Sequence, residues 1–153
     1  MDLVPQTSWG KSLYDLLPKT LWSKIREKEI NKAGEKCSIC AASASKLFCH
    51  EIWDYDDNNH VQRLIGFRIV CAMCNSVMHF GRIQKLVGQG KVNTETVEKV
   101  IDHFMHVNKC SKDDFIQHKK FSFSKWRERS KHAWNISVGE YQHFINEKLN
   151  NKK

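Results

Sequence analysis

Four of the six cysteines form two C-x-x-C pairs, Cys37 with Cys40 and Cys71 with Cys74. Each turn of this kind presents two thiolates from one tight knuckle, and two turns complete the tetrahedral shell that zinc prefers. Buried or redox-active thiols are the alternative, which a single pair would leave open. We predict a structural zinc site that stabilises the fold rather than doing chemistry, because a closed shell leaves no position for water.

A second group of polar residues lies next to these pairs. Cys49, His50 and Glu51 are consecutive in a β-prone segment, and Asn75 and His79 are four residues apart after the second pair. On a helix, this spacing places Asn75 and His79 on one face, where both could bind one ion. A facing histidine could deprotonate water while the ion stabilises charge on a phosphate. The group predicts a phosphodiesterase site; a buried structural histidine and an ordinary polar helix face are the alternatives.

From about residue 22 to 82, the order of these motifs resembles the HNH, or ββα-metal, endonuclease family, in the branch braced by zinc knuckles. The shared pattern is C-x-x-C, a strand ending in a catalytic histidine, a hairpin, and C-x-x-C-N opening a helix. The whole chain is also similar to bacterial and phage proteins labelled HNH endonucleases. The resemblance implies an α+β, mainly helical fold with a ββα-metal or treble-clef core around the four-cysteine site, plus flanking helices.

The resemblance also implies an activity, the metal-dependent hydrolysis of DNA phosphodiester bonds. His50 matches the general base, and Asn75 and His79 match further catalytic residues on the helix. Cys49, Asn75 and His79 match the ligands of a catalytic divalent ion, which would be Mg²⁺, Mn²⁺, Ni²⁺ or Zn²⁺. The structural zinc would be a separate cofactor.

Two positions depart from the family pattern. Cys49 replaces the usual Asp or His with a thiol, which suits zinc better than magnesium. The family's middle asparagine, which orients the catalytic histidine, aligns with Gly66, so Asn58, Asn59 or Gln62 would have to supply the missing hydrogen bond. The alternative function is a non-catalytic zinc module that binds nucleic acid or a protein partner, as a phage or host-defence factor.

Positive charge is concentrated in the last third of the chain. The formal net charge is +8, and residues 109–153 hold 11 basic and 5 acidic side chains, or +6 of that total. Such a surplus favours a polyanionic partner, which the resemblance above implies to be DNA, although a solvated basic surface that aids solubility is equally compatible with it. The residues expected to contact phosphates are Arg82, Lys119, Lys120, Lys125, Arg127, Arg129 and Lys131.

Hydrophobic periodicity and turn residues predict the elements that position these groups. Helices are expected over 21–33, over 71–80 with Gly81 as the break, and over 94–108. Ser111 and Asp114 form a capping-box pattern for a helix to about residue 131, and a last helix is expected over 138–149. Two strands over 47–53 and 62–70 would form the hairpin. His103 and His106, three apart on one helix, are interpreted as surface or core-edge residues.

Length and composition predict one folded unit. The apolar fraction of 41% and charged fraction of 27% are ordinary for a globular protein. We expect a single domain over 1–153, with an HNH-like zinc core over 20–82 and a C-terminal helical extension over 92–150. No apolar run is long enough to cross a bilayer, and the cysteines do not suggest a disulfide framework, so we expect a cytoplasmic protein without a membrane partner.

Overall fold

The computed structural model describes residues 1–150, with side chains to residue 146. Within this part of the chain, seven α-helices and a three-stranded sheet form an α+β fold with more helix than strand, which confirms the predicted class. The last three residues of the expected domain, 151–153, lie outside the described residues. None of the described helices has the length and apolarity needed to cross a membrane.

The helices and strands are numbered in chain order. The helices are α1 (Leu13–Leu16), α2 (Lys19–Lys32), α3 (Ala72–Met78), α4 (Phe80–Gly88), α5 (Thr94–Asn108), α6 (Lys112–Arg129) and α7 (Gln142–Asn150). The strands are β1 (Leu47–Asp56), β2 (Val61–Cys71) and β3 (Asn135–Ser137).

Strands β1 and β2 form the predicted antiparallel hairpin, although each is longer than expected. Leu47, at the start of β1, pairs with Cys71, at the end of β2. The second cysteine pair therefore lies beside the first, which precedes β1. The register shifts between Ile52 and Trp53, opposite Gly66, whose φ of +156° is rarely adopted by other residues. The hairpin therefore brings the two cysteine pairs to one end and contains a bulge at Ile65, next to Gly66.

Helix α3 begins directly after Cys71 and ends at Met78, two residues before the predicted end at residue 80. His79 has φ −95° and ψ 34°, which interrupts the helix, and α4 then starts at Phe80. Gly81 lies inside the first turn of α4, where a Cβ atom would come 3.2 Å from Cδ2 of Leu3. Its lack of a side chain therefore allows close packing of the N-terminal segment, and the helix break falls at His79 instead.

Helices α5 and α6 agree with the sequence-based expectation. Helix α5 has the predicted bounds, and the Ser111 hydroxyl accepts from the Asp114 amide while the Asp114 carboxylate accepts from the Ser111 amide, forming the predicted capping box. Apolar side chains from α4, α5 and α6 pack as one cluster around Phe80, Val100 and Phe115. The cluster holds these helices against α3.

The C-terminal part differs from the prediction. Residues 135–137, expected to precede a helix, form β3, which pairs in parallel with Val61–Arg63 of β2. A 3₁₀ turn over Gly139–Tyr141 follows, so the last helix begins at Gln142 rather than at Val138. A three-residue strand has no detectable hydrophobic period, and only its pairing with β2 defines it. Val138 and Ile145 pack with Leu13 and Leu17, which joins both ends of the chain.

Candidate metal centre and adjoining histidine site

The four predicted zinc ligands converge. Cys37 and Cys40 lie in the loop before β1, Cys71 ends β2, and Cys74 lies in α3; their ligand atoms are all within 4.8 Å of one another. The Sγ atoms of Cys40 and Cys71 are 3.7 Å apart. Tetrahedral zinc with bonds of about 2.3 Å requires a separation of about 3.8 Å between sulfurs. The four thiols therefore fit a metal ion with the size and preferences of zinc.

The surroundings of these thiols are apolar. Cys37, Cys71 and Cys74 are buried and pack with Leu47 and Val70. Burial opposes ionisation of Cys37, but backbone hydrogen bonds, led by that from Cys40, lower its pKa to about 6. Burial and the neighbouring thiols raise the pKa of Cys74. Cys37 is thus more readily ionised than Cys74, and binding of a metal, which requires thiolates, would release protons from the site.

His103 is a neighbour of this site that sequence reasoning did not connect with it. Its Nε2 atom lies 3.1 Å from the Sγ atom of Cys74. Helix α5 packs against α3, and this packing brings the histidine to the sulfur. The interpretation as a core-edge residue is compatible with its half-buried side chain, but no spacing in the sequence indicated its partner.

The predicted catalytic histidines also come together. His50 on β1 is only 7% exposed, and its ring centroid lies 4.8 Å from that of His79, with 40° between the ring planes. The Nδ1 atom of His50 is 2.8 Å from the carbonyl oxygen of Glu51. Because a carbonyl only accepts, we assign the ring proton to Nδ1. The Nε2 atom is then unprotonated, and it is buried without a hydrogen-bond partner.

Both rings are held neutral. Burial lowers the pKa of His50, outweighing the hydrogen bond to Glu51. Burial lowers the pKa of His79 to about 4, and the charge that His50 would carry adds to that effect. At neutral pH the pair therefore offers uncharged imidazoles that can accept a proton.

Asp2 joins this pair from the start of the chain. Its Oδ2 atom lies 3.9 Å from Nδ1 of His50, and its backbone amide donates to the Met78 carbonyl oxygen at 3.0 Å. Burial raises the pKa of Asp2, while the positive charges of the N-terminus and Arg68 act in the opposite direction. Sequence reasoning missed Asp2 because a lone acidic residue near a terminus has no informative spacing.

Cys49 and Asn75, the other predicted ligands of a catalytic ion, differ in their position relative to the histidine pair. Cys49 packs against the four-cysteine cluster, and alternation along β1 directs it away from His50. Burial and the carboxylates of Glu29 and Glu51 raise its pKa to about 12. The Asn75 carbonyl accepts from the His79 amide at 3.0 Å, so these two residues do occupy one helical turn.

Among the described residues, no second group of three or more His, Cys, Asp and Glu side chains converges near the predicted ligands of the catalytic ion. Among the described His, Cys, Asp and Glu side chains, the four cysteines are the only group of three or more whose ligand atoms converge. Asp2, His50 and His79 are neighbours without meeting that condition. The residues present therefore fit the structural metal but not a preassembled second one.

A backbone group supplies the hydrogen bond to His50 that the family's asparagine, replaced here by Gly66, would otherwise provide. The Glu51 carbonyl oxygen accepts a hydrogen bond from Nδ1 of His50, the ring nitrogen that would otherwise need a side-chain partner. The Asn59 amide instead donates to the Asp56 carboxylate at 2.9 Å, in the hairpin turn. Gln62 is buried, and its Oε1 atom has no partner. A backbone group, rather than one of the three suggested side chains, thus orients His50.

A cavity of about 530 Å³ adjoins the histidine pair. His79 and Asp2 line it, and so do Ser8 and Gln62. Its aromatic walls are formed by Trp9, Trp53, Phe123 and Trp126, and its basic side chains are Lys11, Arg82 and Lys85. His50 does not line the cavity, although its ring is a neighbour of the His79 ring, which does.

The predicted phosphate-binding residues divide into two groups. Arg129 donates to both carboxylate oxygens of Asp57 at 2.7 and 3.1 Å and lies over the Tyr55 ring. Lys125 is 3.6 Å from the same carboxylate, and Lys131 is 2.8 Å from Glu128. These three cations already have anionic partners. Exposed side chains are found at Arg82, Lys120 and Arg127, and Lys119 is half-buried.

Compared with known proteins, the chain matches no family model, and no curated protein or solved structure is significantly similar to it. The HNH resemblance therefore depends on the motifs of this sequence alone. Function has to be argued from the geometry of the site.

Proposed function

We propose that this protein is an HNH-type endonuclease that hydrolyses phosphodiester bonds of DNA, with His50 as the general base. The observation that carries the proposal is the state of the His50 ring. Its Nδ1 atom donates to the Glu51 carbonyl, and its Nε2 atom holds a lone pair with no partner. A neutral imidazole in this tautomer can take a proton from an attacking water.

Access to that nitrogen depends on His79. The Nε2 atom of His50 is buried, whereas the neighbouring His79 ring lines the cavity. In the proposed reaction, His79 turns aside so that the water can contact Nε2 of His50, which takes the water proton as the water oxygen bonds to phosphorus. The scissile P–O bond then breaks, and the leaving oxygen takes a proton from solvent. Arg82 and Lys85, which also line the cavity, would hold the phosphate by charge-assisted hydrogen bonds.

The four cysteines would hold a structural zinc ion. That ion would contribute free energy of folding by fixing the ends of the hairpin and the start of α3. The HNH resemblance adds a catalytic divalent ion, but its predicted ligands do not converge here, and no step above depends on it. The contribution of such an ion to cleavage is therefore measured in the test below.

The test is cleavage of supercoiled plasmid and short DNA duplexes, with Mg²⁺, Mn²⁺ or Ni²⁺ added separately. We expect His50→Ala to slow cleavage by roughly 100-fold or more, the usual contribution of a general base. His106→Ala, which changes an exposed histidine of α5, is the control. Zinc content and circular dichroism should be unchanged in both variants. Undiminished cleavage by His50→Ala would contradict the assignment.

A second candidate function is non-catalytic binding of nucleic acid or a protein partner. The buried Nε2 atom of His50 and the lack of a converged second metal site favour it. Binding of DNA that weakens steeply between low and physiological salt, without cleavage under any metal, would support a nucleic-acid-binding module. Salt-independent binding to a protein would instead support a protein-binding module.

A further inference from the structure

The cavity beside His79 has an aromatic wall held in place by one carbonyl group. The indole N–H groups of Trp9 and Trp126 both donate to the Val4 carbonyl oxygen, each at 3.1 Å. Trp9 nevertheless remains 54% exposed, and the Lys85 ammonium lies 5.8 Å from the centre of its ring. The wall is thus a fixed and accessible aromatic surface next to a positive charge, which suits stacking of a planar group.

Two residues that line the same cavity have buried polar atoms without hydrogen-bond partners. Gln62 is 2% exposed and Ser8 is 3% exposed, and neither Gln62 Oε1 nor Ser8 Oγ has a hydrogen-bond partner. Both residues line the cavity. A buried polar atom without a partner costs free energy, so a polar ligand edge that supplies those hydrogen bonds would be favoured here.

Charge and size narrow the class of ligand. Three basic residues, Lys11, Arg82 and Lys85, line the cavity together with two acidic ones, Asp2 and Glu51, and the chain as a whole carries a net charge of +8. The cavity volume of about 530 Å³ lies in the range of sites for small organic groups. An aromatic wall, a polar interior and basic side chains together match a planar heterocycle attached to phosphates.

We infer that this cavity receives one unpaired base of a nucleic acid strand. The base stacks on Trp9, its polar edge faces Gln62 and Ser8, and Arg82 and Lys85 contact the adjoining phosphates. This inference rests on the proposed function and names its substrate as single-stranded or locally opened nucleic acid, because a base stacked within a duplex cannot enter the cavity.

The first measurement is the affinity for a fluorescein-labelled single-stranded DNA, by fluorescence anisotropy without added divalent metal. Trp9→Ala removes the stacking surface and should raise the Kd roughly tenfold, within the range seen for loss of one base–aromatic stack. Phe121→Ala is the matched control, because Phe121 is 63% exposed on α6 and does not line the cavity. It should leave the Kd unchanged.

The second measurement distinguishes the contribution of the bases to the affinity from that of the phosphates. A strand of equal length made of abasic nucleotides should bind the unmodified protein more weakly, and Trp9→Ala should weaken its binding no further. A matching duplex should be equally insensitive to Trp9→Ala. Gln62→Leu, a buried change of similar size, tests the polar interior and should also weaken binding of the normal strand.

The inference is wrong if Trp9→Ala and Phe121→Ala bind the normal strand alike, or if the abasic strand binds as well as the normal one. Tighter binding of a free mononucleotide than of the strand would assign the cavity to a small molecule and overturn it too. Cleavage retained in His50→Ala would refute the proposed general base without altering these affinities. Failure of the base-binding inference and failure of the proposed general base are therefore distinguishable.

Discussion

The Nε2 atom of His103 lies 3.1 Å from the Sγ atom of Cys74 and connects α5 with the four-cysteine site. Burial lowers the pKa of His103, so its ring is neutral at physiological pH and carries one N–H group. With that proton on Nε2, the histidine donates to the sulfur when Cys74 is a thiolate. Partners of this kind orient metal ligands and stabilise their charge.

His103→Ala should weaken zinc binding, because the Cys74 thiolate loses its hydrogen-bond donor. The expected loss of affinity is about 10- to 100-fold, which is typical for such partners. Competition with a chromophoric chelator measures it directly. His106→Ala, on an exposed position of the same helix, should keep the original affinity. Equal affinities for the two variants would contradict a role for His103.

Removal of zinc should unfold the core, because a metal held by the four cysteines would join the loop before β1 to β2 and α3. We expect one zinc ion per chain by elemental analysis and loss of helical circular dichroism on chelation. Cys71→Ser should abolish stoichiometric zinc binding. Cys110→Ser changes a cysteine outside the cluster and should retain both zinc and fold. A metal-free protein that remains fully folded would exclude a structural zinc.

Glu51 should make stability depend on pH. Its carboxylate accepts from the Leu13 amide at 2.8 Å and the Trp53 indole at 3.1 Å. Burial raises its pKa from about 4.5 to about 7, aided by the nearby Asp15 and opposed by these hydrogen bonds. The folded protein thus binds an extra proton between these values. The stabilisation, at most roughly 3 kcal/mol, is complete below pH 4.5 and is lost as pH rises through 7.

Glu51→Gln should therefore reduce the fall in unfolding free energy between pH 5 and pH 8. Urea titrations at both pH values, with zinc in excess, measure this difference. Glu27→Gln changes an exposed glutamate of α2 and is the control. If Glu51→Gln shows the same pH dependence as the unmodified protein, the carboxyl group does not titrate in this range.

Phe115→Ala should destabilise the helical part of the fold by about 3–5 kcal/mol. The Phe115 ring is 2% exposed and contacts Phe80 and Phe104 edge-on, with centroids 5.3 and 5.2 Å apart. Its loss would leave a cavity where α4, α5 and α6 meet. Phe121→Ala, on an exposed position of α6, should change the free energy of unfolding by less than about 0.5 kcal/mol. Chemical denaturation compares the two directly.

Local features of the sequence were enough to predict several parts of this protein. The C-x-x-C pairs and the β-prone segments between them predicted a hairpin that closes a four-cysteine site. The apolar period of α5 and the Ser111–Asp114 capping box predicted both long helices. These features involve residues a few positions apart, and helix capping and strand alternation act over that distance.

The surroundings of the candidate site were decided by tertiary structure. Asp2 reaches His50, His103 reaches Cys74, and the Trp9 and Trp126 indoles meet at the Val4 carbonyl. The helix break at His79 and the pairing of β3 likewise depend on packing that no local pattern records. Such contacts join residues far apart in the chain, so neither spacing nor periodicity could indicate them. The sequence by itself determined a set of four thiols that could hold a metal ion, and only the folded chain placed a neutral histidine pair beside an aromatic cavity.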